Sequence, residues 1–283
     1  MRVFMLSLLL GVSAPAMAQP SQPAGAPAGP AAIGRPAAPE GWAIGIGVAP
    51  VLSPAWQGSN DMALSIFPDL RISYGDLLFA SVPDGVGINA VNAHGWRAGP
   101  LVKIRFGRDE DDGGSPFQIA GGSDALIGMG NINLAGEAGG FVEHSFGQRH
   151  QWRARAEVRQ GFGGHQGLLA DVSLNHRSRI DRTIISAGPR ASFASRDFMQ
   201  TYFGVTPAQS LRTGLARYDG DGGLLSYGVG GTVVQPLSRN SAITLFTSLE
   251  RLGEQAGDSP LVRERGRRTQ FTLGLAFGYR FGL

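Results

Sequence analysis

Trp152-Arg153-Ala154-Arg155-Ala156-Glu157-Val158-Arg159 decides the fold class. Its polarity alternates with period two, which places Trp152, Ala154, Ala156 and Val158 on one face of a strand and the charged residues on the other. In a soluble sandwich the apolar face forms the core, yet tryptophan with alanines makes a poor core face. The pattern fits better inverted, with the apolar side chains turned outward to lipid and Arg153, Arg155, Glu157 and Arg159 turned inward to a wet, ion-paired lumen. Lys103 and Arg105 repeat the arrangement against Val102, Ile104 and Phe106, so these six charged residues are the candidate lumen-facing set.

The same period recurs from Trp42, Ile44, Ile46 and Val48 through to Phe271, Leu273, Leu275, Phe277, Tyr279 and Phe281. Lipid offers no partner to backbone N–H and C=O groups, so a sheet in lipid must close on itself. The expected architecture is therefore all-β, a transmembrane antiparallel up-and-down β-barrel over 42–283. The candidate strands are 42–51, 63–74, 77–90, 98–107, 134–146, 151–162, 167–176, 183–194, 198–205, 224–236, 241–252 and 268–281, which makes about 12, or 10 if 77–90 and 198–205 do not span. Trp42, Trp56, Phe79, Trp96, Trp152, Tyr279 and Phe281 fall near strand ends, where an interfacial aromatic girdle belongs.

Upstream, Arg2 precedes an apolar run, and Ala16-Met17-Ala18 is a small-x-small cleavage pattern, so 1–18 is read as a signal peptide. Residues 19–41 lack apolar periodicity and are rich in Pro, Ala and Gly, as expected of a disordered linker. With no cysteine, neither a disulfide framework nor a lipid anchor on cysteine is expected. The 43 glycines disfavour helix and suit curved strands. A net charge of only +3, despite a pI near 9.7, leaves no nucleic-acid footprint.

No nucleophile elbow, zinc-binding His-Glu-x-x-His pattern or phosphate-binding glycine loop is present, so no catalytic, cofactor or metal site is expected and none of the readings needs a cofactor. His165 and His176 flank Asp171 on one hairpin, a loose constellation that keeps a lipid-modifying barrel enzyme as a lesser alternative. Asp109-Glu110-Asp111-Asp112 lacks the ligand spacing of a calcium cage and reads as a solvated loop. The basic run Arg263-Glu264-Arg265-Gly266-Arg267-Arg268 suits either a charged boundary loop or the phosphates of lipopolysaccharide.

Several segments, in order, carry a family resemblance. They are Pro54-Ala55-Trp56-Gln57-Gly58-Ser59, Pro68-Asp69-Leu70-Arg71-Ile72-Ser73-Tyr74-Gly75-Asp76, Glu137-Ala138-Gly139-Gly140-Phe141-Val142, Thr201-Tyr202-Phe203-Gly204-Val205 and Asp258-Ser259-Pro260-Leu261-Val262. The sequence resembles the MipA/OmpV family of outer-membrane proteins, in which Tyr74, Gly75, Asp76, Tyr202, Phe203, Gly204, Val205, Asp258, Ser259 and Pro260 fall on motif positions. One departure is Gly282-Leu283 after Phe281, where such barrels end on an aromatic residue. The resemblance implies a non-enzymatic scaffold in the outer membrane of a Gram-negative bacterium, surrounded by lipid and lipopolysaccharide. Its implied partners are a lytic transglycosylase and a peptidoglycan synthase. A small-solute channel with a charged lumen is the alternative.

Overall fold

The first long strand and the last pair with each other, Ala43 opposite Gly282 and Leu52 opposite Leu273. This closes the wall seen in a computed structural model that describes residues 41–113 and 116–282. The predicted signal peptide, all but the last residue of the predicted linker, and Leu283 lie outside the described residues.

The strands are β1 (Trp42–Pro54), β2 (Met62–Tyr74), β3 (Leu78–Ser81), β4 (Gly85–Ile88), β5 (Val91–Ala93), β6 (Trp96–Arg105) and β7 (Gln118–Gly121). They continue as β8 (Ala135–Phe146), β9 (Trp152–Gly163), β10 (Leu168–Ile180), β11 (Thr183–Ala194), β12 (Gly223–Pro236), β13 (Ser241–Leu252) and β14 (Thr269–Gly282). Twelve of them form the closed antiparallel ring, while β5 pairs beside β6 and β7 beside β2. No described helix is long and apolar enough to cross a membrane.

The expected count of about twelve is correct, but two of the expected strands are not. Segment 77–90 is a hairpin of two short strands, because Pro83-Asp84-Gly85 breaks it. Ser81 Oγ accepts from the Asp84 amide at 3.0 Å, and Gly85 takes a positive φ of 77°. Segment 198–205 is no strand: Phe198, Met199, Tyr202 and Phe203 share one face of helix α1 (Arg196–Phe203) and are all buried. The other helices are α2 (Pro207–Thr213), α3 (Glu254–Gly257) and α4 (Pro260–Arg265).

The wall is inside-out by soluble standards. Val102, Ile104, Val142, Val158 and Val172 are exposed outward, whereas Glu137, Glu143, Glu157 and Arg159 are buried. Outward aromatics form two belts. Trp42, Tyr74, Trp96, Phe146, Trp152, Tyr279 and Phe281 stand at one end, and Phe162, Phe193, Tyr227 and Phe271 at the other. The ten steps from Trp152 to Phe162, at ~3.4 Å each and tilted about 45°, give a band roughly 24 Å tall, the height of an outer-membrane apolar belt. Two residues expected in the girdle are elsewhere. Trp56 is 4% exposed inside a loop-built core, because the chain turns inward after Pro54, and Phe79 packs edge-on against Phe141.

Pro68 marks the thin part of the wall. β2 pairs with β3 at Arg71–Tyr74 and with β7 at Ala63–Ser65, so the edge between has no strand ladder. The Ile66 amide and Leu70 carbonyl bond toward that side, so Pro68, of the same parity, has no donor to leave unpaired there.

Candidate functional site: the lumen and its cap

A charged stretch of the lumen wall is built from the inward faces of β6, β8, β9 and β10. Antiparallel register sets Lys103 opposite Glu137, Glu143 opposite Arg155, and Asp171 opposite Glu157. Long side chains reach diagonally from these rungs into a lattice. Arg159 donates to Glu137 at 2.8 Å and to Asp171 at 2.6 Å, and also to Glu157. Glu157 accepts from Lys103 and from Arg155, each at 2.7 Å. Arg105 donates to Glu137, and Ser192 Oγ to Asp171. Each buried charge here has an opposite neighbour and a hydrogen bond, the condition under which charges survive away from water.

Of the six candidates from sequence, the structure joins Lys103, Arg105, Arg155, Glu157 and Arg159 in this lattice. Arg153 sits apart, 35% exposed and 3.6 Å from Glu143. Glu137, the most central acid, was not singled out from sequence. Its signal was parity, since Glu137 and Glu143 share the face of their strand that also carries Phe141.

His165 lies beneath the lattice's upper edge, buried, with Nε2 at 3.2 Å from Glu137 and Nδ1 accepting the Gly167 amide at 3.2 Å. These partners set the tautomer with the proton on Nε2. A Cβ on Gly161 would come within 2.1 Å of the ring, so only glycine leaves the imidazole its place. His176 points to the other side of the wall, edge-on to Trp152, so the His165–Asp171–His176 constellation considered from sequence does not converge. Among the described residues no group of three His, Cys, Asp or Glu is placed to hold a metal ion.

Above the lattice sits a cap. The long connections 106–134, 195–222 and 253–268 all leave the same end of the barrel and pack a core of Trp56, Leu126, Met129, Phe198, Met199, Phe203, Leu215 and Leu261. The cap stands directly on the charges. The Arg105 guanidinium lies 5.2 Å from the Phe198 ring centre, and His165 meets Phe198 edge-on at 5.1 Å. Arg108, buried, donates to the Tyr202 carbonyl at 2.6 Å, and its burial lowers its pKa to about 10. Burial also pushes the Tyr202 phenol up.

The motif residues divide between the two ends. Tyr74, Gly75 and Asp76 make the tight β2–β3 turn, with Gly75 at φ 49°. The other two groups meet in the cap: Gly204 ends α1, Val205 bridges to Tyr218, Asp258 ends α3 and Pro260 opens α4. Ser259 Oγ donates to the Phe203 carbonyl. The acidic loop serves its own fold, Glu110 accepting the amides of Gly128 and Gly130. In the basic run Arg265 donates to the carbonyls of Ala125 and Thr213, and Arg268 pairs with Asp258. The cap also bridges the closing seam: Gly58 bonds Gln270 and Arg267, and Ser59 pairs with Gly266.

An apolar, twice-belted exterior around a charged interior defines a bacterial outer-membrane β-barrel, and the outer membrane is where this protein resides. The chain belongs to the family described as MltA-interacting protein MipA, which matches residues 46–281. It is 24% identical over 115 residues to "Putative outer membrane protein YiaT" of Escherichia coli K12. That match covers 41% of this chain and 45% of the relative, so it spans less than half of the relative's length. Among solved structures it is similar to an outer membrane channel from Pseudomonas putida F1, with 12% identity and a TM-score of 0.46, covering 89% of this chain and 99% of that one. It is also similar to the NanC porin, with 8% identity and a TM-score of 0.38, covering 84% and 98%. Barrels of this class have short periplasmic turns and long extracellular loops, so the cap faces outward and the β2–β3, β8–β9, β10–β11 and β12–β13 turns face the periplasm.

Proposed function

We propose that this protein is a plugged, non-enzymatic barrel that anchors cell-wall machinery at its periplasmic end, its partners being a lytic transglycosylase and a peptidoglycan synthase. The observation that carries the reading is the buried core that the long connections pack at the outer end of the lumen. That core is apolar, and the ion-paired lattice around Glu137 and Arg159 lies beneath it. A barrel so filled spends its interior on stability, which leaves the surface at the periplasmic turns for recognition. The family's description as MltA-interacting is the reason for naming a lytic transglycosylase.

The test has two arms. Planar-bilayer recordings of the folded chain are expected to show no steady conductance, and cross-linking in intact envelopes is expected to capture a cell-wall hydrolase or synthase through the periplasmic turns. A stable conductance removed by closing the lumen would replace this reading with a small-solute channel. The charged inner wall favours that second reading, Arg153 being 35% exposed on it.

A further inference from the structure

The lattice is close to charge-balanced, but the inner wall below it is not. Arg153 and Arg177 belong to the inward faces of β9 and β10 near the periplasmic turns, with Arg179 beyond them at the rim. Glu143 is the acid at this level, and it is already shared by Arg153 at 3.6 Å, Arg155 at 3.2 Å and Arg97 at 3.7 Å. Arg177 lies in the fields of Arg153 and Arg179, and among the described residues it has no carboxylate within salt-bridge distance. Arg179 is exposed and donates to the Asp181 carbonyl at 3.0 Å. Cations crowded on one wall repel one another, and a fold that keeps more of them together than the shared Glu143 can pair is complementary to an anion brought from outside.

Spacing narrows the anion. Arg177 and Arg179 are two residues apart on one strand, hence about 6.7 Å apart, the repeat of alternate side chains on any extended chain. We propose that the arginines of this periplasmic inner rim, Arg153, Arg177 and Arg179, form a docking site for an extended acidic peptide segment carrying carboxylates at alternate positions. Each guanidinium fork takes one carboxylate, and the segment lies along the inward face of β10 with its backbone toward the barrel axis. The site rests on the scaffold reading for where such a segment would come from, though not for its chemistry.

The test is fluorescence anisotropy of a labelled peptide of alternating Glu and Ser, titrated with the full chain folded in zwitterionic micelles. Binding is expected at low ionic strength and should weaken at least about tenfold when salt is raised to physiological strength. Arg177→Gln breaks no ion pair and should weaken binding about three- to tenfold, as should Arg179→Gln if the first variant fails to fold. Arg263→Gln, on the cap, should leave it unchanged. No binding by the wild type, equal binding of an alternating Lys and Ser peptide, or no effect of either rim variant overturns the site. Tripolyphosphate binding as tightly, with the same dependence on Arg177, overturns the peptide in favour of a phosphate ligand. Failure to capture cell-wall enzymes from envelopes bears on the scaffold reading and leaves this site untouched.

Discussion

The Ser259 hydroxyl donates to the Phe203 carbonyl at 2.5 Å, in a place where both residues are fully buried. Two motifs far apart in sequence are thus joined by one bond at the centre of the cap. Ser259→Ala leaves that carbonyl unsatisfied at the end of α1, which should destabilise the cap by about 1–3 kcal/mol. Limited proteolysis is the check: cleavage within 195–222 or 253–268 should quicken, with the wall strands still protected. Unaltered cleavage would show that the bond contributes nothing to holding the cap.

Glu137 is the acid on which Arg105, Arg159 and His165 converge. Removing one partner from a buried pair costs about 3–5 kcal/mol, so Glu137→Gln should lower the urea midpoint of the folded band on a semi-native gel by a clear margin. Arg153→Gln, about a third of whose side chain is in solvent, should shift it by less than about 1 kcal/mol. Equal shifts for the two variants would mean that the lattice is not load-sharing as drawn.

Tyr202 gives the cap an alkaline limit. Its phenol is raised by burial, so the folded state keeps a proton that the unfolded chain loses at the ordinary tyrosine value. Folding then binds more protons than unfolding, and the associated stability is intact below that value and lost as pH climbs through the folded one. Spectrophotometric titration should show two late-ionising tyrosines, Tyr202 and the likewise burial-raised Tyr218, and one fewer in Tyr202→Phe. If the late amplitude is undiminished in that variant, the assignment to Tyr202 is wrong.

Val158 stands outward at mid-height, 50% exposed, one residue from the buried Arg159. Val158→Arg puts a cation into the lipid midplane at about 2–4 kcal/mol. Folding into vesicles should drop accordingly, while the same substitution in a soluble β-sandwich surface would be nearly silent. Normal folding yield would contradict the lipid-facing assignment.

The wall was legible from residues because period-two alternation needs only local sequence, and 151–162 and 268–281 carry it without interruption. The cap was not. In a stretch as short as 198–205, Phe198 and Tyr202 satisfy a strand's parity as well as a helix's spacing, and only the pair Met199 and Phe203 tips the balance to helix. Trp56 looked like a girdle residue because tryptophan at a strand end usually is one, and nothing local says that the chain folds inward after Pro54. The lattice was half legible: alternation picks out which charges turn inward, but which acid meets which base depends on register across four strands. So Arg159 was visible from sequence, and its partners Glu137 and Asp171 were not placed.

The seam between β1 and β14 joins the two most distant parts of the barrel in sequence. Closing so long a loop comes late in folding, after hairpins between neighbours have formed. The cap contacts across that seam, from Gly58 and Ser59 to Gly266, Arg267 and Gln270, can form only once it is shut. Interactions absent until after the barrier slow opening far more than they hasten closing. The outer cap is therefore also a timer: it sets how long a finished barrel lasts in the envelope, independently of how readily one assembles.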